Sequence, residues 1–215
     1  MAIVTQERCD KERIEVKKMT AIAQVLFLYL IYLNKKEVTM SEINEKLELN
    51  PMSISRAISQ LNDLQLVETH KEKNRKIIVL EQQGRELFEK GLLYLNNPVK
   101  ETIYVNKCDM NETMLISGYT ALSELTMLSS PQIMTYACKD IKNYKENSTE
   151  SLIDKDEQVE IQKWIYNPRV LSNNQIVDVL SLYLSLYLSL YYDCDERVEG
   201  ELEYLMNKTW RNING

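Results

Sequence analysis

The dipeptide Asn50-Pro51 sits between two helix-period patterns, and it restricts the fold more than any other feature of the chain. Proline disfavours helical geometry in the residue before it, so a helix arriving from the N-terminal side must end by Asn50. The same pair opens a new helix well, with Asn50 as N-cap and Pro51 as the first helical residue. Upstream, Thr39 and Glu42 have the spacing of a capping box, and Met40, Ile43 and Leu47 recur at helical intervals. Downstream, Ile54, Ala57, Ile58, Leu61 and Leu64 form one apolar stripe and predict a helix over residues 51–65. Met52, Ser55, Arg56 and Ser59 fall on the opposite face, which is small and polar near its start and carries one arginine. On an isolated helix such a face is ordinarily just solvated. The residues that follow give it a further meaning.

After Leu66, two β-prone runs over residues 67–70 and 77–80 flank the polar hexapeptide KEKNRK, which predicts a β-hairpin. The tip holds Lys71, Lys73, Arg75 and Lys76 against Glu72, a local charge of +3. A basic hairpin beside two short helices is placed to reach phosphates or a minor groove. The arginine and small residues of the second helix suit close approach to base edges, where arginine can contact guanine in bidentate fashion.

The run SEINEKLELNPMSISRAISQLNDLQLV, then the basic hairpin, then LEQQGRELFEK, resembles in order and spacing the DNA-binding region of the MarR-like winged-helix regulators. The resemblance covers roughly residues 20–90, under half of the chain. It implies a winged helix-turn-helix in which the helix over 51–65 enters the major groove and the wing flanks it. Position by position it carries DNA contact onto Ser53, Ser55, Arg56 and Arg75. Asn74 stands where the family usually has an aspartate before its wing arginine, leaving the usual Asp–Arg pairing unsupported here. With the outward positions added, the candidate DNA-binding residues are Thr39, Ser41, Met52, Ser53, Ser55, Arg56, Ser59, Lys71, Lys73, Arg75 and Lys76.

Composition bounds this reading. The 215 residues allow one large or two small domains. With 26 basic and 32 acidic residues the net charge is −6, which does not suit a nonspecific nucleic-acid coat. Residues 35–80 hold eight basic and seven acidic residues, a net of +1, so the remainder carries −7. Any positive field must therefore be local. Cys9, Cys108, Cys138 and Cys194 are scattered without a C-x-x-C pair, which fits a reducing cytoplasm. No signal-peptide pattern opens the sequence. The apolar run over 21–33 is too short for a membrane span and is interrupted by Gln24.

Along the rest of the chain, residues 1–16 read as a polar lead-in. Residues 17–34 read as a helix apolar nearly all round, with Met19, Ile22, Ala23, Leu26, Leu30 and Leu33 on one side and Val25, Phe27, Tyr29 and Tyr32 on the other. Such a helix is covered on two sides. The second cover is expected from a partner subunit, giving a homodimer through this helix and part of the C-terminal half. The alternative is that the C-terminal half folds back over it. Residues 81–95 read as a helix weakened by Gly84, and Asn96-Asn97-Pro98 marks a domain boundary.

The overall expectation is a mainly α fold with a small β component (α+β). A winged helix-turn-helix domain over residues 1–97 precedes an α+β domain over 98–215. In the second half, residues 103–105, 132–137 and 159–166 are expected as strands of a small mixed sheet. Residues 112–128 are expected as a helix and 143–157 as a loop. The four-residue repeat LSLYLSLYLSLYY suits strand and helix alike. Its length and Asp178 near its start favour a helix, and a last helix starts at Asp195. ISGYTAL and the Asp–Leu–Ser helix weakly resemble the C-terminal domain of abortive-infection antitoxins.

Chemistry is sparse. His70 is the one histidine, and no phosphate-binding glycine loop or zinc spacing is present. Asp154, Asp156 and Glu157 lack the calcium-loop pattern, and no nucleophile–base–orienter set is visible. The expectation is a non-enzymatic, cofactor-free and metal-free regulator. It would be a repressor that binds a pseudo-palindromic duplex as a homodimer. Alternatives are an antitoxin-like protein-binding regulator, or a sensor whose C-terminal half holds a small-molecule effector near the tyrosine repeat.

Overall fold

A computed structural model describes residues 17–73, 75–110, 114–189 and 195–214. The lead-in with Cys9, Asn74, the start of the helix expected from residue 112, and the end of the tyrosine repeat with Cys194 lie outside the described residues.

Helix α1 spans Ala21–Leu33. It is shorter than expected because Thr20 caps it, accepting the Ala23 N–H, and Asn34 turns left-handed (φ 49°) at its end. A short strand β1, Glu37–Thr39, follows and leads into α2, Met40–Leu47. The Thr39–Glu42 capping box is complete in both directions. Glu48 turns left-handed, Asn50 accepts the Met52 N–H, and α3 runs over Pro51–Asp63. The helix stops before residue 65 because Gln65 is left-handed (φ 56°), and Leu64 is only half-buried. Strands β2, Glu68–Glu72, and β3, Arg75–Val79, form the expected hairpin. Pairing runs out to Glu72↔Arg75, so the connection is tighter than the hexapeptide suggested. β1 adds to β3, and the sheet order is β1-β3-β2.

Helix α4 spans only Gly84–Gly91, and a 3-10 turn, Leu92–Tyr94, replaces its expected last turn. Both glycines have reasons. Gly84 opens the helix at a left-handed φ of 52°, rather than interrupting it. Gly91 lies against α1, where a Cβ would overlap the Phe27 ring.

The second half is built on the expected mixed sheet. Strands β4 (Val99–Asn106), β5 (Leu115–Ile116), β6 (Thr135–Cys138) and β7 (Gln158–Trp164) take the order β4-β7-β6-β5. The β6–β7 pairing is parallel and the other two are antiparallel. The helix expected over 112–128 is instead β5 followed by α5, Gly118–Leu125. Gly118 makes the break, at φ 56° and so close to β6 that a Cβ would lie 2.9 Å from Thr135 Cγ2. The expected loop over 143–157 opens with a 3-10 helix, Lys142–Asn147. The tyrosine repeat forms helix α6, Val179–Tyr187, and α7 spans Glu196–Asn214.

The boundary expected at Asn96–Pro98 separates the two sheets but not the cores. One apolar cluster joins Leu26, Ile58 and Leu87 to Trp164, Leu184 and Trp210. A smaller cluster around Val105, Val159 and Ile161 covers the other side of the second sheet. Helix α1 is buried on nearly every face within one chain, Phe27 and Leu28 completely. Its one interior polar residue, Gln24, is satisfied by the Asn96 backbone, donating to the carbonyl at 3.0 Å and accepting the N–H at 2.8 Å. This corrects the argument for a dimer through α1. The apolar surface assigned to a partner is covered within the chain, by α3 and α4 together with second-half residues of the shared apolar cluster.

A buried polar cluster ties α1 to α6. Asp178 caps α6 by accepting the Ser181 N–H, and it accepts the Tyr32 hydroxyl at 3.0 Å. The Tyr32 oxygen in turn accepts the Leu180 N–H at 3.0 Å. Asp178 Oδ2 has no hydrogen-bond partner among the described residues. Burial raises the Asp178 pKa above its ordinary 3.8, outweighing the Ser181 and Tyr32 hydrogen bonds that lower it. A folded-state pKa raised above the unfolded one means that the native state holds a proton which the unfolded chain releases. Stability is therefore present below pH 3.8 and is lost as pH rises through the folded pKa. Asp178→Asn keeps the capping oxygen and removes the charge. The variant is expected to melt higher than wild type at pH 8, with the gap closing toward pH 4. A constant difference across that range, followed by calorimetry, would remove Asp178 as the titrating group.

Candidate nucleic-acid interface

Helix α3 is held by two kinds of contact. Ile54, Ala57, Ile58 and Leu61 are buried in the core, and Gln60 is clamped to the start of α1. Its Oε1 accepts from both the Thr20 N–H and the Thr20 hydroxyl at 3.0 Å, and its Nε2 donates to the Lys18 carbonyl. This leaves Met52, Ser55, Arg56 and Ser59 exposed and Ser53 half-exposed. Met52 is 64% exposed, a high value for an apolar side chain at the start of a helix. Ser53, Arg56 and Ser59 line one side of an open groove of about 630 Å³ between α3 and the start of α1. Asp63 lines the same groove and was missed by the sequence reading. The spacing 52, 56, 59, 63 contained the signal.

On α2, Ser41 is exposed and half-exposed Thr39 is committed locally. The Thr39 hydroxyl donates to Glu42 Oε2 at 2.9 Å and accepts the Glu42 N–H, while the Thr39 N–H also donates to that carboxylate. The Thr39 N–H, with Lys35 at 3.0 Å, holds the Glu42 carboxyl down at about 2. Thr39 is thus a capping residue whose hydroxyl donor is already used.

The hairpin places its charges by register. Lys71 pairs across from Lys76, and Glu72 from Arg75. Directly opposed residues share a face, so the two lysines stand side by side, an arrangement that costs stability. Lys71, Lys73 and Arg75 are exposed, and Lys76 is half-exposed. Among the described residues none of them, nor Arg56, is ion-paired with a carboxylate. His70 is an exposed hairpin residue opposite Ile77. Asn74, the departure from the MarR-like wing, lies outside the described residues.

The remaining candidate chemistry resolves into local structure. Asp154 Oδ1 accepts the N–H groups of Asp156 and Glu157, a turn that accounts for the acidic triplet. Among the described residues no group of three His, Cys, Asp or Glu side chains is arranged to hold a metal ion. Cys108 and Cys138 are free thiols, and burial pushes the Cys138 thiol up to about 11. Among the described residues no helix is long and apolar enough to cross a membrane. No family model, no curated protein and no solved structure matches this chain.

Proposed function

We propose that α1 to α4 with the first sheet work as a winged helix-turn-helix, and that the protein is a sequence-specific regulator of transcription that binds double-stranded DNA. The observation that carries this reading is the hairpin tip. Lys71, Lys73, Arg75 and Lys76 are concentrated there against the single acidic residue Glu72, none of them in an ion pair among the described residues, on a chain whose net charge is −6. Two lysines opposed in one ladder cost stability, a cost that an anion bound beside them would offset. A polyanion with regularly spaced phosphates supplies that anion.

In this reading α3 lies in the major groove, with Arg56 and its small neighbours at the base edges, and the hairpin holds the backbone. Arg56→Ala is expected to weaken binding to the preferred duplex by about 1–3 kcal/mol and to relax specificity at one position. Fluorescence anisotropy on a duplex selected from genomic fragments, against a scrambled duplex, measures both. Equal losses on the two would reduce Arg56 to a phosphate contact, and no binding to any fragment would end the reading.

A two-fold operator calls for two copies of the chain. With α1 covered, the homodimer forms through another surface. Sedimentation at micromolar concentration tests this, since a monomer that still binds its site tightly removes the dimer.

A further inference from the structure

We infer that the groove between α4, α6 and α7 is a binding site for a small organic cation with an aromatic or quaternary ammonium face. The groove holds about 350 Å³, within the range of small-molecule sites. Four aromatic rings run through it in contact. Tyr187 stacks on Tyr183 with ring centres 5.0 Å apart and planes 13° off parallel. Tyr183 meets Phe88 edge-on at 5.9 Å, and Phe88 meets Trp210 at 5.4 Å. Phe88 and Trp210 are buried at the floor, whereas Tyr187 is 42% exposed at the mouth.

The rim is acidic. Glu89, Glu199 and Glu203 face the groove with Arg85, a net of −2. Arg85 is tied to Glu89 at 2.7 Å and lies within the field of Glu203, and neither Glu199 nor Glu203 is in an ion pair among the described residues. Burial pushes the Tyr183 hydroxyl up to about 12, so the phenol stays neutral and the carboxylates supply the charge. Aromatic faces attract a cation through their quadrupole, most strongly where water is excluded, and the exposed Glu199 and Glu203 carboxylates add to that field. An aromatic anion would meet the same rings and an opposing charge. The occupant this surface selects is therefore cationic. The inference stands apart from the DNA-binding reading, since the site shares no residue with the α3 face or the hairpin.

The test is fluorescence titration of the nucleic-acid-free full chain with berberine, a flat aromatic cation. The comparison is anilinonaphthalene sulfonate, a flat aromatic anion. Berberine should bind at least about tenfold more tightly than the anion. The double change Glu199→Gln with Glu203→Gln should weaken berberine by about tenfold and leave the anion unchanged or tighter. Tyr187→Ala should weaken both. Glu199 and Glu203 are exposed, so an unchanged urea midpoint establishes that the double variant is folded and lets it decide the matter even if Tyr187→Ala is destabilised. Absence of berberine binding up to millimolar probe, equal affinity for the two dyes, or a double variant that binds berberine like wild type would each overturn the inference.

Discussion

Phe27→Ala is expected to lower the unfolding free energy by about 3–5 kcal/mol, read as a drop in the urea midpoint, without changing the oligomeric state. Phe27 is fully buried in α1, and its ring fills the space left by the missing side chain of Gly91 on α4. Truncating the ring opens a cavity between two helices that cannot collapse, because Phe88, three residues before Gly91 on α4, is held against Trp210. The converse change sharpens the test. Gly91→Ala puts a methyl group into the Phe27 ring and should cost about 1–3 kcal/mol in the native protein. In the Phe27→Ala background the same methyl enters the cavity and should cost little or stabilise. Additive effects of the two substitutions would mean that the residues are not packed against each other. A dimer that fell apart on Phe27→Ala while its monomer stayed stable would restore α1 as a subunit interface.

Neutralising Lys71, Lys73 and Arg75 together is expected to weaken binding to every duplex by a similar factor. It should also flatten the dependence of log K on log salt by about 0.9 for each phosphate that is no longer neutralised, or roughly 2.7 if all three side chains face phosphates. Three side chains are changed because each is exposed and none is in an ion pair among the described residues, although Arg75 stands directly across from Glu72 in the hairpin. Stability should change little, since removing the Lys71 charge relieves its opposition to Lys76 while removing the Arg75 charge loses its pairing opposite Glu72. Anisotropy titrations across about 50–200 mM salt give the slope. A slope equal to that of wild type would take the hairpin out of the interface and leave α3 to account for binding alone.

Much of the fold was legible along the chain. The capping box at Thr39–Glu42 and the Asn50 cap with Pro51 behind it form as read, and Asp178, read near the start of α6, is its cap. Each is satisfied within three residues, so sequence spacing contains the whole interaction. The outward stripe of α3 was readable for the same reason, since helical period alone assigns its face. The exposed faces of α3 and of the hairpin are consequently where spacing put them, while Thr39 at the start of α2 has its hydroxyl donor used by the capping box.

The sequence by itself thus determined the local elements: where α2 and α3 start, which face of α3 is apolar, that KEKNRK turns a hairpin, and that strands in the second half build a mixed sheet. Tertiary structure alone decided the rest. β1 exists because Glu37–Thr39 finds the free edge of β3, a pairing forty residues away. The helix expected through Gly118 breaks because β6 arrives too close for a side chain, and no pattern around Gly118 records Thr135. Helix α1 is apolar nearly all round in either state, and only the folded chain says that α3, α4 and second-half residues of the same chain cover it. Periodicity reports that a face must be buried. What buries it depends on contacts between residues far apart in sequence, and these appear only when the chain has closed on itself.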